Sequence, residues 1–157
     1  MAEKENKRIK IMVIHGPNLN LLGLRDPKHY GNLTLDKLNR LLRKRAAELG
    51  VELKIYQFND EGRIITALQR NRKKVDGVLI NPAAYTHYSI AIRDTIELLK
   101  IPVVEVHLSN IYAREDFRTH SVIKDFCAAQ FYGKKEASYT EALAWLVKHI
   151  TETRGNQ

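Results

Sequence analysis

The sequence predicts an α/β domain built on a five-stranded parallel sheet with helices on both faces. Three observations lead to this prediction. Five short apolar runs alternate with amphipathic helical segments, polar segments rich in Gly and Pro follow several of the runs, and the 157-residue chain is 44% hydrophobic and 28% charged, as in one globular domain. For five strands connected in this way we predict the flavodoxin-like strand order 2-1-3-4-5.

The first third of the chain supplies two strands and one helix. Residues 9–15 form an apolar run, which predicts a short buried strand. Thr34 begins a helix that carries leucines on one face, and Gly50 ends it. Residues 51–58 alternate apolar and polar side chains, so they predict the second strand.

The middle of the chain supplies two more helices and two more strands. Asn59 or Asp60 is a candidate N-cap for the second helix. Residues 77–80 predict the third strand, which ends at Asn81-Pro82. Residues 86–99 then predict a helix and residues 103–108 the fourth strand.

The last third of the chain begins with a long polar connection. Residues 109–125 predict a loop with one helical turn near Glu115, and residues 126–132 predict the fifth strand. Ser138 and Glu141 have the spacing of a capping box, which places the start of the last helix at Ser138. We expect a flexible charged tail over residues 1–8, one domain over residues 9–152 and a short flexible C-terminus over residues 153–157.

Composition limits the partners and the compartment. The polar start is not followed by an apolar segment and no eighteen apolar residues run together, so we expect a cytoplasmic protein without a membrane anchor. Cys127 is the one cysteine, which excludes an internal disulfide. The net charge of +8 is concentrated in two clusters, at residues 40–45 and 70–74, which lack interleaved aromatic residues. We interpret both as solvated helix faces, with nucleic-acid binding as the alternative.

The predicted strand order brings three polar segments together. Strands one, three and four are neighbours, and ligands of such sheets bind outside the carboxyl ends of the strands. The segments that follow or end these strands span residues 16–31, 81–87 and 105–110. We therefore expect them to line one cleft.

The first segment contains an arginine and a tyrosine with possible catalytic use. A guanidinium near a phenol favours the phenolate, so Arg25 can lower the pKa of Tyr30 from its usual value of about 10 and make it a base. The alternative is a long surface loop in which both side chains are merely solvated.

The other two segments contain candidate acid and binding groups. His107 lies two residues after Glu105 on the same side of the fourth strand, so the carboxylate can hold one tautomer of a general acid, or the two can simply satisfy each other. Asn81 and His87 can bind hydroxyls or a carboxylate, or cap the third helix. The guanidinium groups of Arg114 and Arg118 can bind a carboxylate or belong to a solvated face.

Several classes of chemistry have no support in the sequence. It contains neither a phosphate-binding Gly-rich loop nor a dinucleotide fingerprint, no G-x-S-x-G motif, and no zinc-like spacing among its six histidines. We therefore expect no cofactor and no metal. Proton transfer by tyrosine and histidine remains, as in a reaction that removes a carbon-bound proton and expels a hydroxyl.

Three ordered motifs resemble the type II 3-dehydroquinate dehydratases, over about residues 11–150. They are Gly16-Pro17-Asn18-Leu19-Asn20 with Arg25 and Tyr30-Gly31, Asn81-Pro82-Ala83-Ala84-Tyr85-Thr86-His87 with Ser89, Arg93 and Asp94, and Glu105-Val106-His107-Leu108-Ser109-Asn110 with Arg114 and Phe117-Arg118. The resemblance implies a cofactor-independent hydro-lyase that converts 3-dehydroquinate to 3-dehydroshikimate by anti elimination through an enolate.

The resemblance also implies roles for individual residues. Tyr30 matches the base and Arg25 the cation that keeps it ionised, Asn18 helps hold the enolate through a water, and His107 protonates the departing hydroxyl. The matched substrate-binding positions are Asn81, His87, Leu108, Ser109, Arg118 and Asp94, with Glu105 and Arg114 in support.

The resemblance extends to assembly. Asp94 matches a residue that the family presents to a neighbouring subunit, in trimers that assemble into dodecamers. Tyr88, where a small residue is usual, and residues 130–135 depart from the family pattern. The alternatives are a non-catalytic flavodoxin-like binding module and a dehydratase acting on another cyclic hydroxy-ketone acid.

Overall fold

The computed structural model describes residues 7–24, 26–30 and 32–156 and forms a three-layer α/β structure. The strands are β1 (Lys10–His15), β2 (Glu52–Gln57), β3 (Gly77–Asn81), β4 (Val103–Val106) and β5 (Ala129–Phe131). The helices are α1 (Pro27–Tyr30), α2 (Leu35–Leu49), α3 (Glu61–Asn71), α4 (Ile90–Leu98) and α5 (Glu136–Gly155).

All strand pairs are parallel and the sheet order is β2-β1-β3-β4-β5, which confirms the predicted fold class. β1 and β3 lie in the middle of the sheet, and their register pairs His15 with Asn81 at the carboxyl ends. Both strands are almost wholly buried because helices cover both faces of the sheet.

Side chains that alternate along the strands divide the core into two layers. Ile11 and Val13 of β1 pack with α2 and α5 on one face, whereas Met12 and Ile14 pack with α3 and α4 on the other. Gly77 lets α5 approach β3, because a Cβ there would lie 2.9 Å from Ile150 Cδ1. None of the helices in the described part of the chain is long and apolar enough to cross a membrane.

Two predicted helix caps are present. The Thr34 hydroxyl accepts a hydrogen bond from the Lys37 N–H at 3.2 Å, and the Asp60 carboxylate accepts one from the Arg63 N–H at 2.9 Å. Gly50 ends α2 with φ of +71°, in the left-handed region that glycine adopts without strain.

Other boundaries differ from the sequence prediction. The capping-box prediction is wrong about the start of the last helix: α5 begins two residues before Ser138, after a turn at Lys135 with φ of +54°. The Ser138 hydroxyl is buried and instead accepts a hydrogen bond from the Lys134 N–H at 2.9 Å. The same helix continues to Gly155, three residues past the predicted limit of the domain at 152.

The two polar connections near the carboxyl edge of the sheet form 3-10 turns. One turn at Ala83–His87 precedes α4, which is capped by the Ser89 hydroxyl and therefore begins later than predicted. The connection after β4 forms three such turns where one was expected: Ile111–Ala113, Asp116–Arg118 and Lys124–Phe126. These turns place polar side chains around the ends of β3 and β4.

Candidate active site

A cleft lies at the carboxyl ends of β1, β3 and β4, where the strand order predicts it. The segments that follow these three strands meet there, which confirms that the three sequence motifs converge. The lining residues are Pro17, Asn18, Leu19, Asn81, Ala83, Ala84, His87, His107, Leu108, Ser109, Ile111, Arg114 and Arg118.

The residues that follow β1 pack directly against the end of β3 and form one part of the cleft. The Gly16 N–H donates to the Asn81 carbonyl at 2.7 Å, and a Cβ at Gly16 would lie 2.7 Å from the Pro82 carbonyl group, so no larger residue fits there. Asn18 has φ of +67°, and its N–H donates to the Asn59 side chain at 3.1 Å. The segment after β1 is therefore held against the end of β3 and places Asn18 at the cleft.

The predicted base and its partner belong to the part of the chain whose side chains are not described. Arg25 and Gly31 lie outside the described residues, and Tyr30 belongs to α1, where its backbone alone is described. The roles given to Arg25 and Tyr30 therefore stay predictions.

The predicted pair of His107 and Glu105 forms a direct contact. His107 Nε2 lies 2.6 Å from Glu105 Oε2, and both side chains are buried. Three further side chains donate to the same carboxylate: Thr86 at 2.5 Å, Ser121 at 2.8 and 2.9 Å, and Gln130 at 3.0 Å. Four donors thus converge on one buried carboxylate.

These contacts determine the charge of Glu105. Burial alone would raise its pKa, but the hydrogen bond and charge of His107 and the hydroxyls of Thr86 and Ser121 outweigh burial and hold the pKa below its usual value. Glu105 is consequently ionised at neutral pH, and His107 Nε2 donates to it. The other ring nitrogen of His107, Nδ1, is then the one that can exchange a proton with a ligand.

The groups that support this carboxylate were not predicted from the sequence. Thr86 lies within a quoted motif but received no role, Ser121 lies in the long connection after β4, and Gln130 belongs to the segment that departs from the family pattern. The Tyr112 hydroxyl donates to Gln130 Oε1 at 2.7 Å and so extends the network. A buried glutamate signals that donors must surround it, but the sequence does not show which distant residues supply them.

Asn81 is held at both ends of its amide. Its Nδ2 donates to the Tyr139 hydroxyl at 2.8 Å, and its Oδ1 accepts from the Ala83 N–H at 3.0 Å. Ala83 has φ of +52°, a strained conformation for a residue with a side chain. The contact of Tyr139 with Asn81 was also not predicted. Its signal in the sequence is a tyrosine hydroxyl within the apolar face of the last helix.

His87 also lines the cleft and is held in one tautomer. Its Nδ1 donates to the His120 carbonyl at 2.7 Å. Burial, followed by the nearby charges of His107 and Arg118, lowers its pKa although the His120 hydrogen bond opposes this. A neutral His87 with its proton on Nδ1 leaves Nε2 as an acceptor for a ligand hydroxyl.

Two arginines and a backbone segment complete the cleft. Arg114 and Arg118 both line it, and Glu115 Oε2 lies 3.8 Å from Arg114 Nε and 3.0 Å from Arg118 Nε. The Leu108 carbonyl accepts a hydrogen bond from the Lys135 N–H, and the Ser109 carbonyl accepts one from the Gly133 N–H. The N–H groups of Leu108 and Ser109 and the Ser109 hydroxyl have no partner among the hydrogen bonds of the described residues, so they can bind a ligand. Cationic and neutral donors that line one cleft suit a carboxylate.

Two named residues lie away from the cleft of their own chain. Asp94 is exposed on α4 and does not line the cleft. Tyr88 is 62% exposed and packs edge-on against Tyr85, with ring centroids 5.8 Å apart, so its bulk does not narrow the site. Across residues 7–24, 26–30 and 32–156, no cluster of three or more His, Cys, Asp and Glu side chains could hold a metal ion.

Comparison with known proteins shows which family the chain resembles in sequence and fold. The family model described as "Dehydroquinase class II" matches residues 9–147. The chain is 51% identical over 142 residues to the 3-dehydroquinate dehydratase of Geotalea daltonii, covering 90% of this chain and 99% of the relative. It is 50% identical over 139 residues to that of Roseiflexus castenholzii, covering 88% of each. The crystal structure of type II dehydroquinase from Butyrivibrio crossotus superimposes with a TM-score of 0.86 at 41% identity, covering 88% of this chain and 97% of that one.

Proposed function

The chain belongs to the class II dehydroquinase family, and we infer from this membership and from the cleft that it is a hydro-lyase that converts 3-dehydroquinate to 3-dehydroshikimate. This dehydration is a step of the shikimate pathway. The observation that carries the proposal is the buried pair of Glu105 and His107, whose ring opens onto a cleft that also contains Asn81, His87 and Arg118. Such a pair supplies the proton that a departing hydroxyl needs.

The first step requires a base and a group that stabilises an enolate. We assign the base to Tyr30, ionised by Arg25, on the strength of the sequence motif and the family. The Tyr30 phenolate takes the proton alpha to the ketone, and the electrons of the C–H bond form the enolate. Asn18, which lies at the cleft, holds the enolate oxygen through a water.

The second step expels the hydroxyl. His107 protonates the departing oxygen from Nδ1, the C–O bond breaks, and the enolate electrons regenerate the ketone in conjugation with the new double bond. Ionised Glu105 stabilises the imidazolium before the transfer and fixes the ring orientation. Protons then balance, because Tyr30 gains one and His107 loses one, and both are restored by solvent.

The remaining cleft residues bind the substrate in this proposal. Arg118 and the Leu108 and Ser109 groups hold the carboxylate end and ring hydroxyls, and Asn81 and His87 bind further hydroxyls. Arg114 supports Arg118 in this proposal, since both guanidinium groups lie near the Glu115 carboxylate.

We also propose an assembly and a compartment. The exposed position of Asp94 on α4 suits a contribution to the cleft of a neighbouring copy, within a trimer that forms part of a dodecamer. We expect the enzyme in the cytoplasm.

One assay tests the activity. The purified chain, treated with a chelator and with borohydride, is mixed with 3-dehydroquinate, and the ultraviolet absorbance of the conjugated enone is followed. A rise that survives both treatments supports a dehydratase that uses neither a metal nor an imine. A flat trace from a folded protein would instead favour a non-catalytic binding module or another hydroxy-ketone substrate.

A further inference from the structure

Four polar side chains join helix α2 to the cleft through the interior of the protein. His15 Nε2 lies 2.8 Å from Asn39 Oδ1, the Tyr139 hydroxyl lies 3.4 Å from His15 Nδ1, and Asn81 Nδ2 lies 2.8 Å from the Tyr139 hydroxyl. Asn39 is half-buried on α2, whereas the other three side chains are buried. We call this series from Asn39 to Asn81 the polar chain.

The position of Tyr139 makes its hydroxyl informative. The ring is fully buried in the apolar layer between the sheet, α2 and α5. A phenylalanine would fill the same space and would bury no polar group. Burial of a hydroxyl is unfavourable unless the hydroxyl is hydrogen-bonded, so the hydroxyl of Tyr139 needs an explanation. The hydroxyl contacts His15 and Asn81, and Asn81 is the end of the series that lines the cleft.

The hydrogen bonds of the polar chain run in one direction. Burial lowers the pKa of His15 to about 4, against a smaller opposing effect of the Asn39 hydrogen bond, so the imidazole is neutral at neutral pH. Because Asn39 Oδ1 can only accept, the single ring proton lies on Nε2 and Nδ1 is an acceptor. The Tyr139 O–H therefore points to His15, and its oxygen accepts from Asn81 Nδ2.

This direction fixes the amide of Asn81. With Nδ2 donating to Tyr139 and Oδ1 accepting from the Ala83 N–H, a rotated amide would lose both hydrogen bonds. The second hydrogen of Nδ2 has no partner among the hydrogen bonds of the described residues and remains for a ligand in the cleft.

We propose that Tyr139 is a positioning residue for the dehydratase, acting through Asn81 to present the free N–H of its amide to a hydroxyl of the substrate. The inference rests on the proposed function and deepens it. Tyr139 does not line the cleft, so its effect on the reaction passes through the polar chain.

The first test is Tyr139→Phe, measured for KM and kcat separately. Loss of one neutral hydrogen bond corresponds to about a twofold to tenfold change in an equilibrium constant. Because Asn81 binds a substrate hydroxyl and moves no proton, we expect KM to rise by about that factor while kcat stays within about twofold. The matched control is Thr151→Val, which removes a hydroxyl from the same helix, where it donates to the Val147 carbonyl at 2.8 Å, and should leave KM unchanged.

The second test asks whether Tyr139 acts through Asn81. In an Asn81→Ala background, Tyr139→Phe should raise KM no further, because the group it positions is gone. An equal rise in both backgrounds, or an unchanged KM in the single variant, overturns the proposal.

A measurement on the unmodified protein covers the case in which a variant fails to fold. The nitrogen-15 signals of His15 should show a protonated Nε2 and an unprotonated Nδ1 between about pH 6 and 8. A proton on Nδ1 overturns the direction of the polar chain. Turnover of 3-dehydroquinate by the unmodified protein is measured first. Without turnover, the proposed function fails and this inference fails with it. If the unmodified protein turns over the substrate but Tyr139→Phe leaves KM unchanged, only this inference fails.

Discussion

Replacement of Glu105 by glutamine removes one negative charge from the centre of the site and keeps the side-chain shape. Four donors converge on the carboxylate: Thr86, His107, Ser121 and Gln130. A glutamine has one acceptor oxygen, so at least one of these donors must face its amide nitrogen. A buried donor left without an acceptor costs about 1–3 kcal/mol, and we expect Glu105→Gln to lower the free energy of unfolding by that amount.

The same change should slow catalysis. A hydrogen bond to a charged group is worth about 1.5–3 kcal/mol, and this stabilisation of the protonated ring is lost when the carboxylate becomes an amide. Because the charge that stabilises the protonated ring is gone, proton donation to the departing hydroxyl should become slower. Together with the loss of ring orientation, kcat at pH 7.5 should fall by about 10²-fold or more.

The assay is the enone absorbance, followed from about pH 5 to 10 for the unmodified protein and the variant. Glu141→Gln is the control, because Glu141 is exposed, forms a surface ion pair with Lys134 at 3.1 Å and does not line the cleft. An unchanged kcat in folded Glu105→Gln would refute the role given to the pair.

Further predictions concern the loop, the interior and one close contact. Tyr30→Phe should lower kcat by at least ~10²-fold without unfolding the protein, and Arg25→Gln should move the limb that reports the base to higher pH, as pH profiles would show. The pKa of His15 is about 4 in the folded protein, against the usual 6.5 of an unfolded chain, so the free energy of unfolding falls as the pH drops from about 6.5 towards 4. The total loss is roughly 3 kcal/mol. Denaturant titrations at several pH values should show this loss, and His15→Asn should remove it. Gly16→Ala should cost about 1–3 kcal/mol in unfolding free energy, since its Cβ would meet the backbone at Asn81 at 2.8 Å; an unaltered denaturation midpoint would contradict this.

The fold could be predicted because its signals are local. Apolar runs and helical periodicity gave the five strands and their helices, and the caps at Thr34 and Asp60 needed only neighbouring residues. The start of α5 was predicted wrongly for two reasons. Lysine has no preference for the positive φ that it adopts at position 135, and the Ser138 hydroxyl accepts a hydrogen bond from the preceding turn and does not cap the helix.

The site could be predicted in part because topology brings strand ends together. Asn81, His107 and Arg118 meet in one cleft as expected. The groups that orient them were missed, since Gln130 and Tyr139 reach Glu105 and Asn81 from elements 25 and 58 residues away along the chain. Such contacts depend on how β5 and α5 pack, which no local pattern encodes.

The strand order itself suits an anti elimination, in which the proton and the hydroxyl leave from opposite faces of the substrate ring. The segment that carries Tyr30 follows β1, and His107 follows β4, while β3 lies between these strands. Neighbouring strands are about 4.8 Å apart, so base and acid start from strand ends roughly 10 Å apart. Asn81, at the end of β3, lies between them and can bind the ring in the gap. In the proposed mechanism, a substrate held by the central strand would be reached by the base from one side and by the acid from the other.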